Sequence, residues 1–450
     1  MTVFFSHKRR TVPAKDGASW PHVIVVGGGF AGASLVQALR DTRVRVTLID
    51  RNVYKTFQPL LYQVATAGLN PGDVTMFLRG LSLKLPNMRY WQGELTGIDQ
   101  ASQEVVLRDG TRMHYDQLVI ATGATTNFFH TTGGEEHAMP MYTRSQALAI
   151  RDRIFAELER ASRSRGQDHL CVSIVGGGPT GVEIAGALAD FRMQELDILY
   201  PEMDPGTLEI SIIQRGADLL KPYRENFRQY AADELRARGV VLRTGHGVKE
   251  VGYDYVVLDN DEIVESDITI WAAGVSATPD VKNWGLPQGK GGRIETDEHC
   301  RVSGTQNIYA AGDIAAMPEV LPQLAQPAIQ TGQHIAKVIR ATLRGEEPPA
   351  FSYRDFGTMA TIGRHAAIAQ IPGAPDLSGS IGWVAWIAIH VKSLIGHRNR
   401  RAVLMNLLSL YSGNRHTHQP NPVVGEINSE EAAAIYEAMR DLRRFGGDKR

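Results

Sequence analysis

Two glycine-rich turns constrain this chain more than any other feature, and each directly follows a short apolar run. The first is Gly27-Gly28-Gly29-Phe30-Ala31-Gly32, and the second is Gly176-Gly177-Gly178-Pro179-Thr180-Gly181. A buried strand that leads into such a turn and then a helix lets backbone N–H groups and the helix dipole face a pyrophosphate. The pattern therefore predicts an α/β chain with two Rossmann-type dinucleotide-binding domains. Two such sites indicate an electron relay between bound cofactors.

The residues after the first turn support this interpretation. Residues 33–39 are expected to form a helix, and the following apolar strand ends at Asp50, which precedes Arg51. Asp50 lies 18 residues after Gly32, near the interval at which a carboxylate accepts hydrogen bonds from a ribose 2′-hydroxyl. The alternative for Asp50 is a solvated turn residue.

Later strands end in small residues that allow the chain to pass close to a cofactor. Residues 115–120 run into Ala121-Thr122-Gly123, and residues 268–271 run into Ala272-Ala273-Gly274. A third strand ends at Gly312-Asp313, where a carboxylate can accept a hydrogen bond from a ribityl hydroxyl. The order of these strands and turns along the chain predicts a discontinuous first domain, at residues 21–143 and 281–375. A second domain, at residues 144–280, is inserted between its two parts.

Composition excludes several other classes of protein. The chain has 450 residues, 43% of them hydrophobic and 22% charged, which is typical of a large globular α/β protein. A net charge of -1 gives no reason to expect a nucleic-acid partner. Cys171 and Cys300 form neither a C-x2-C nor a C-x4-C pair, which argues against a disulfide relay. The histidines lack metal-ligand spacing, so no metal is expected.

The C-terminal part contains two apolar runs separated by the basic cluster at residues 397–401. In the first run, one helical face carries Trp383, Trp386, Ile387, Val391 and Leu394. A helix pair of this kind, with tryptophans beside cations, is typical of an in-plane membrane anchor. A dimer-forming or core-capping helix pair is the alternative.

The ends of the chain complete the predicted organisation. No apolar stretch is long enough to span a bilayer. Membrane-contact helices are expected at residues 376–420, and a C-terminal extension at residues 421–450. Residues 1–20 lack the apolar core of a secretory signal and are expected to form a mobile tail.

Several segments resemble the type II NADH:quinone oxidoreductases, the single-subunit, non-proton-pumping NADH dehydrogenases of respiratory chains. The resemblance extends from about residue 21 to residue 410. The segments that carry it are residues 48–52, 57–65, 178–183, 325–330 and 359–364. It implies FAD in the first domain, a nicotinamide nucleotide in the second, and a quinone, ubiquinone or menaquinone, as the final electron acceptor.

Three side chains are candidate catalytic residues. Glu183 lies two residues beyond the last glycine of the second turn, and the resemblance places it beside the nicotinamide and flavin, near the quinone pocket. Its alternative role is to complement the helix N-terminus, worth about 0.3–1 kcal/mol. Gln326 and Gln330, four residues apart, share a helical face that in similar enzymes meets the flavin ring and the quinone head.

The candidate binding residues follow from the turns and from the resemblance. Tyr62 is assigned to flavin or quinone packing, because Pro59 breaks regular structure beside it. The candidate FAD-binding residues are Gly27, Gly29, Phe30, Ala31, Gly32, Asp50, Arg51, Gln58, Tyr62, Gln63, Ala121, Thr122, Gly123, Gly312, Asp313, Ala325 and Gln326. The candidate NAD(P)H-binding residues are Gly176, Gly178, Pro179, Thr180, Gly181, Glu183, Gln214, Arg215, Ala273 and Gly274.

One position departs from the pattern of NADH-selective relatives. Such enzymes usually place a glutamate where this chain has Gln214, and that carboxylate would bind the ribose diol and repel a 2′-phosphate. A neutral glutamine removes the repulsion, and Arg215 could add attraction. The sequence therefore predicts that NADPH is accepted as well as NADH.

Other classes of flavoprotein remain as alternatives. A sulfide:quinone oxidoreductase would need positioned redox cysteines. A soluble ferredoxin or disulfide reductase would have no use for the C-terminal helices, and a flavin-bearing signalling protein would not turn over a quinone. The preferred prediction is a peripheral, homodimeric enzyme on the cytoplasmic face of a bacterial plasma membrane.

Overall fold

The computed structural model describes residues 19–163, 169–394 and 396–411, which form two compact units. Most of the predicted N-terminal tail and the whole predicted extension at residues 421–450 lie outside the described residues. The first unit comprises residues 19–56, Met76–Thr125 and Val275–Phe356, and the second comprises the remaining described residues. These units divide the chain differently from the predicted domain boundaries, because residues 57–75 and 357–375 group with the second unit.

The first unit contains a five-stranded parallel sheet. Its central strand, His22–Val26, is buried on both faces, since hydrophobic residues pack above and below it. In spatial order the strands are Ile308–Ala310, Gln117–Ile120, His22–Val26, Arg45–Asp50 and Met88–Gln92.

Two helices of the first unit cover one face of this sheet. The first fingerprint helix is Phe30–Ala38, and the amide helix is Ala325–Arg344. They pack closely, since a Cβ added at Gly332 would lie 2.2 Å from the Ala31 carbonyl oxygen. The other short elements of this unit include Tyr54–Thr56, Leu78–Leu83, Leu95–Asp99, Glu104–Leu107, Arg112–His114, Val275–Ser276, Pro279–Trp284, Lys290–Gly292, Ile294–Glu295, Gly312–Ile314 and Ala315–Ala316.

The second unit repeats the five-stranded parallel sheet, so the predicted fold with two Rossmann-type sheets is confirmed. In spatial order the strands are Met139–Pro140, Ile268–Trp271, Leu170–Val175, Leu208–Gln214 and Val241–Thr244. The second fingerprint helix, Pro179–Gln194, follows the central strand. The other helices of this unit are Gln58–Leu60, Leu61–Ala65, Gly134–His137, Arg144–Arg163, Leu196–Leu199, Pro205–Thr207 and Glu225–Ala237.

Two antiparallel sheets and two C-terminal helices complete the second unit. The sheets are Val248–Val251 with Tyr255–Leu258 and Ile263–Glu265, and Thr358–Gly363 with Ala366–Gln370 and Leu377–Ser378. The tryptophan helix is Gly379–Ser393, and the terminal helix is His397–Tyr411. Across the described ranges, no helix combines the length and the apolar character that spanning a membrane requires.

The tryptophan helix has two different faces. Trp383 and Trp386 are buried, and so is Leu394 just beyond the helix, whereas Ile381 and Val384 are 70% and 59% exposed. A Cβ added at Gly382 would lie 2.7 Å from the Ala367 carbonyl oxygen, so the helix packs closely on the neighbouring strand. The predicted tryptophan face therefore caps the core. The apolar surface left exposed is on the opposite side.

Candidate functional site

In the first unit, the protein itself requires two of the fingerprint glycines. Gly27 has φ +104°, and a Cβ there would lie 2.3 Å from the Ala121 carbonyl oxygen. A Cβ at Gly32 would lie 1.9 Å from the Gly27 carbonyl oxygen. At Gly29, by contrast, an added Cβ meets no protein atom within 4 Å. The turn is thus closed on the protein side and open at Gly29, where a pyrophosphate can approach the backbone.

The second unit has the same arrangement. Gly176 has φ +115°, and a Cβ there would lie 2.7 Å from the Ala272 carbonyl oxygen. A Cβ added at Gly181 would lie 1.9 Å from the Gly176 carbonyl oxygen, whereas a Cβ at Gly178 meets no protein atom within 4 Å. Both turns therefore leave one open glycine for a ligand.

In each unit, the strand that follows the fingerprint helix ends in a side chain that accepts a hydrogen bond from the glycine-rich turn. Asp50 Oδ2 accepts from the Gly28 backbone N–H at 2.6 Å, and Asp50 Oδ1 accepts from Asn52 at 2.7 Å. Burial raises the pKa of Asp50, and these two N–H groups oppose the shift. In the second unit, Gln214 Oε1 accepts from the Gly177 N–H at 2.8 Å.

Buried polar atoms at two of the predicted positions lack a protein partner. Within the described residues, Thr122 Oγ1 in the first unit and Gln58 Oε1 in the second have no hydrogen-bond partner. A buried polar group without a partner is unfavourable, and a bound ligand can satisfy it. These two positions therefore fit cofactor contacts.

Lys55 is a buried cation beside the first turn. Its side chain is only 6% exposed, and its Nζ lies 4.4 Å from the centroid of the Phe30 ring. Desolvation lowers the pKa of Lys55 to about 8, and it forms no ion pair with a carboxylate of the described chain. A dinucleotide phosphate fits this cation. The sequence pattern could not identify Lys55 as a candidate binding residue, because a lysine beside a loop is usually exposed to solvent.

A smaller cavity of about 240 Å³ lies in the first unit at the predicted Gly312-Asp313 turn. Gly312 has φ +74°, and its N–H donates a hydrogen bond of 3.1 Å to Thr331 Oγ1 on the amide helix. Arg293 and Asp313 line the same cavity. The predicted turn is therefore at a concave, polar site.

The two amides of the amide helix are not equivalent. Gln330 Nε2 donates to the Arg354 carbonyl oxygen at 2.9 Å, and Gln330 Oε1 accepts from the Arg354 N–H at 3.0 Å. This reciprocal pair favours a structural role for Gln330. Gln326 lies in the first turn, beside Ala325 at the beginning of the helix, and is partly exposed.

A larger cavity, of about 550 Å³, lies within the second unit and is lined by Glu183. Tyr62 and Gln63 also line it, and Gln63 Nε2 donates a hydrogen bond of 3.0 Å to the Tyr62 hydroxyl. Tyr62 is buried edge-on against the Trp386 ring, with centroids 6.1 Å apart. Burial raises the pKa of Glu183 to about 8, opposed by a hydrogen bond with the Thr361 backbone.

Two further carboxylates line this cavity, Asp190 and Glu195. Burial raises the pKa of Asp190 to about 6, although Arg238 and the Arg364 backbone N–H lower it. Burial, and then the charge of Asp190, raise the pKa of Glu195 to about 7. Asp190 follows Glu183 by seven residues, or about two helical turns. This spacing is the sequence signal that could have placed both carboxylates on one face of the helix.

The cysteines do not suit thiolate chemistry. Burial raises the pKa of Cys171 to about 11 and that of Cys300 far above its usual range. Both thiols are free. A dithiol mechanism therefore has no support in the described part of the chain.

The remaining candidates lie on the two turns and their rims. Arg51 and Arg215 are exposed, each next to the acceptor side chain of its unit. A Cβ at Gly274 would lie 2.7 Å from the Phe129 ring. The remaining candidates on the two turns are Phe30, Ala31, Pro179 and Thr180, and those on the rims are Gly123 and Ala273. The binding roles of all the candidate residues stay predictions.

Comparisons with known proteins agree with this geometry. The pyridine nucleotide-disulphide oxidoreductase family matches residues 21–332, and the NDH2 C-terminal domain matches residues 356–416. The type II NADH:quinone oxidoreductase Ndh of Mycobacterium tuberculosis is 34% identical over 85% of this chain and 86% of its own length. An internal alternative NAD(P)H-ubiquinone oxidoreductase A1 of Arabidopsis thaliana is 28% identical over 89% and 85%.

Solved structures are similar in fold. NDH2 from Plasmodium falciparum in complex with NADH has a TM-score of 0.81 at 22% identity, covering 87% of this chain and 99% of the other. The sulfide:quinone oxidoreductase from Aquifex aeolicus has a TM-score of 0.69 at 18% identity, covering 87% and 95%. At these identities the likeness concerns the architecture alone.

Proposed function

The chain belongs to the type II NADH:quinone oxidoreductases, and on that premise we propose that it passes a hydride from NADH to FAD and two electrons to a quinone, without pumping protons. The repeated turn, closed on the protein and open at Gly29 and Gly178, is the observation that carries this proposal. Each open glycine gives one dinucleotide access to backbone N–H groups.

The first unit would hold FAD. When bound, FAD supplies the chemistry of accepting a hydride and releasing two electrons to the quinone. Lys55 and the turn at Gly29 would bind the phosphates, and Asp50 keeps lone pairs for ribose hydroxyls beyond its two backbone bonds. Thr122 Oγ1 is a buried polar atom of this unit that a cofactor would satisfy.

The second unit would hold the nicotinamide nucleotide at Gly178. Gln214 already accepts the Gly177 N–H without a negative charge, so nothing at this position repels a 2′-phosphate. Arg215 is exposed beside it. We therefore propose that NADPH is also a substrate, in line with the NAD(P)H named in the plant relative.

Glu183 would donate a proton to the reduced quinone. Its raised pKa keeps the carboxyl group protonated at neutral pH, and Glu183 lines a cavity without an ion pair to any described residue. A general acid works best when its pKa lies near the working pH. This favours a functional role over simple complementation of the helix dipole.

Membrane contact would come from the exposed apolar side of the C-terminal helices. That surface consists of Ile381, Val384, Ile389, Leu404, Met405 and Leu408. Apolar side chains beside the cations of residues 397–401 suit a peripheral position at a lipid surface. The cytoplasmic face of a bacterial plasma membrane, a homodimer, and ubiquinone or menaquinone as acceptor belong to the same proposal.

The test is turnover by the purified FAD-loaded protein with NADH and NADPH, with and without short-chain ubiquinone. Quinone-dependent oxidation of NADH supports the proposal. Reduction of the flavin without quinone turnover contradicts it and favours a soluble reductase with another acceptor. If kcat/KM for NADPH were below about a thousandth of that for NADH, a difference near 4 kcal/mol, the NADPH proposal would be wrong.

A further inference from the structure

Three carboxylates line the 550 Å³ cavity of the second unit along one side of the second fingerprint helix and at its end. The helix residues on this cavity are Glu183, Ala187, Asp190, Phe191 and Gln194, which is the periodicity of a single helical face. Glu195 follows directly as the C-cap residue. The cavity therefore follows the helix from its second turn to its end.

We propose that Asp190 and Glu195 form a proton relay, which carries protons from solvent along this cavity to Glu183. The inference rests on the proposed function, in which Glu183 protonates the quinone. Asp190 and Glu195 act through Glu183 and do not touch the reacting atoms.

The stoichiometry of the reaction creates the need for such a relay. NADH, one proton and a quinone give NAD⁺ and a quinol, so the two electrons and one proton come from the hydride. The second proton must come from solution in every turnover. If Glu183 gives its proton to a quinone oxygen, it must be reprotonated before the next turnover.

The surroundings allow all three groups to change protonation near neutral pH. Glu183 faces the Thr361 backbone and Tyr223, and Asp190 faces the charges of Arg238 and Arg364 as well as the Arg364 backbone N–H. Glu195 faces Asp190. Burial outweighs the cations at Asp190, since its pKa is raised to about 6 despite an Arg238 Nε at 3.5 Å. Solvated carboxylates would be fully ionised at pH 7 and would not hold a proton.

Water would bridge the carboxylates. Glu183 and Asp190 are two turns apart, about 10.5 Å along the axis, which exceeds a hydrogen bond. The cavity has room for bridging water, and Gln63, Thr66 and Gln194 supply polar partners. Glu195 is partly exposed beside Met193, which is 52% exposed, so this end of the helix is the solvent end.

The experiment compares two acceptors in the FAD-loaded full-length protein carrying Asp190→Asn or Glu195→Gln. Short-chain ubiquinone takes up protons with its electrons, whereas ferricyanide takes electrons alone. We expect kcat with ubiquinone to be about tenfold lower than in the wild-type protein, with a larger loss above pH 7. The rate with ferricyanide should stay within about twofold of the wild-type rate. A small membrane-permeant acid such as formic acid should restore part of the ubiquinone rate. Glu202→Gln, at an exposed position outside the cavity, is the matched control.

The outcomes separate the relay from a structural role. Equal losses with both acceptors in both variants would overturn the relay, as would a ubiquinone rate and pH profile that neither substitution changes. Failure of the wild-type protein to reduce ubiquinone, with ferricyanide reduction intact, would instead overturn the proposed function.

Discussion

The side chain of Gln214 accepts a hydrogen bond of 2.8 Å from the backbone N–H of Gly177. Asp50 makes the equivalent bond to Gly28 in the first unit at 2.6 Å. The same turn is therefore held by a neutral amide in one unit and by a carboxylate in the other. Because the bond needs an acceptor and not a charge, the second unit keeps its geometry while the negative charge is absent.

Gln214→Glu should convert the enzyme to NADH selectivity. The carboxylate can keep the bond to Gly177 and will repel a 2′-phosphate, so we expect kcat/KM for NADPH to fall by about 10–100-fold, or about 1.4–2.8 kcal/mol. The value for NADH should change by less than about threefold. Gln229→Glu, at an exposed position on the helix Glu225–Ala237, is the control. Equal effects on both nucleotides would contradict this explanation.

Alanine at the two open glycines should separate the two nucleotide sites. Gly29 and Gly178 have ordinary negative φ angles, and an added Cβ meets no protein atom within 4 Å at either position. Both variants should therefore fold. We expect Gly29→Ala to lose FAD on gel filtration, and Gly178→Ala to keep FAD but raise the KM for NADH about tenfold or more.

The reverse pattern would mean that the two sites have been assigned to the wrong units. The matched control is Gly110→Ala, because a Cβ at Gly110 also meets nothing within 4 Å and the residue lies in neither turn. Its φ of +83° adds backbone strain, so it also indicates how large a nonspecific effect is.

The parts of the site that depend on local geometry could be predicted from the sequence. A strand, a turn without side chains and a helix lie within a few residues of one another, so Gly27, Gly32 and their counterparts are recognisable. Lys55, Asp190 and Glu195 could not be predicted in this way, because their burial depends on segments distant in sequence. Their pKa shifts arise from that burial.

The tryptophan helix illustrates the same limit. Helical periodicity placed Trp383 and Trp386 on one face, and the structure buries both. Periodicity identifies a face but not the medium that covers it, since protein core and lipid are equally apolar. Only the packing on the strand Ala366–Gln370 assigns this face to the protein.

Glutamate at the exposed side of the tryptophan helix should release the protein from membranes. Ile381→Glu with Val384→Glu removes two apolar side chains, each worth about 1.5–3 kcal/mol if fully buried in lipid. We expect binding to phosphatidylglycerol-containing vesicles in a flotation assay to weaken at least tenfold, with an unchanged thermal midpoint. Ile263→Glu, at a residue that is also 70% exposed, is the matched control. Unchanged flotation of the double variant would contradict membrane contact through this surface.

His334 should make the protein less stable in mild acid. It is buried on the amide helix, edge-on to the Phe351 ring at 5.2 Å. Burial, and then the charges of Lys337 and His299, lower the pKa of His334 to about 4, while a hydrogen bond with the Pro349 backbone opposes the shift. In the unfolded chain its pKa is near 6.5. Between about pH 6.5 and 4, His334 is therefore protonated in the unfolded state but stays neutral in the folded state.

The free energy of unfolding should therefore fall as the pH decreases from about 6.5 toward 4, with a contribution from His334 of up to about 1.4 kcal/mol per pH unit. His334→Leu removes the titrating group, so its unfolding free energy in urea should depend less steeply on pH across this window. An equal slope for His334→Leu and wild type would mean that the imidazole gains access to water in the folded state.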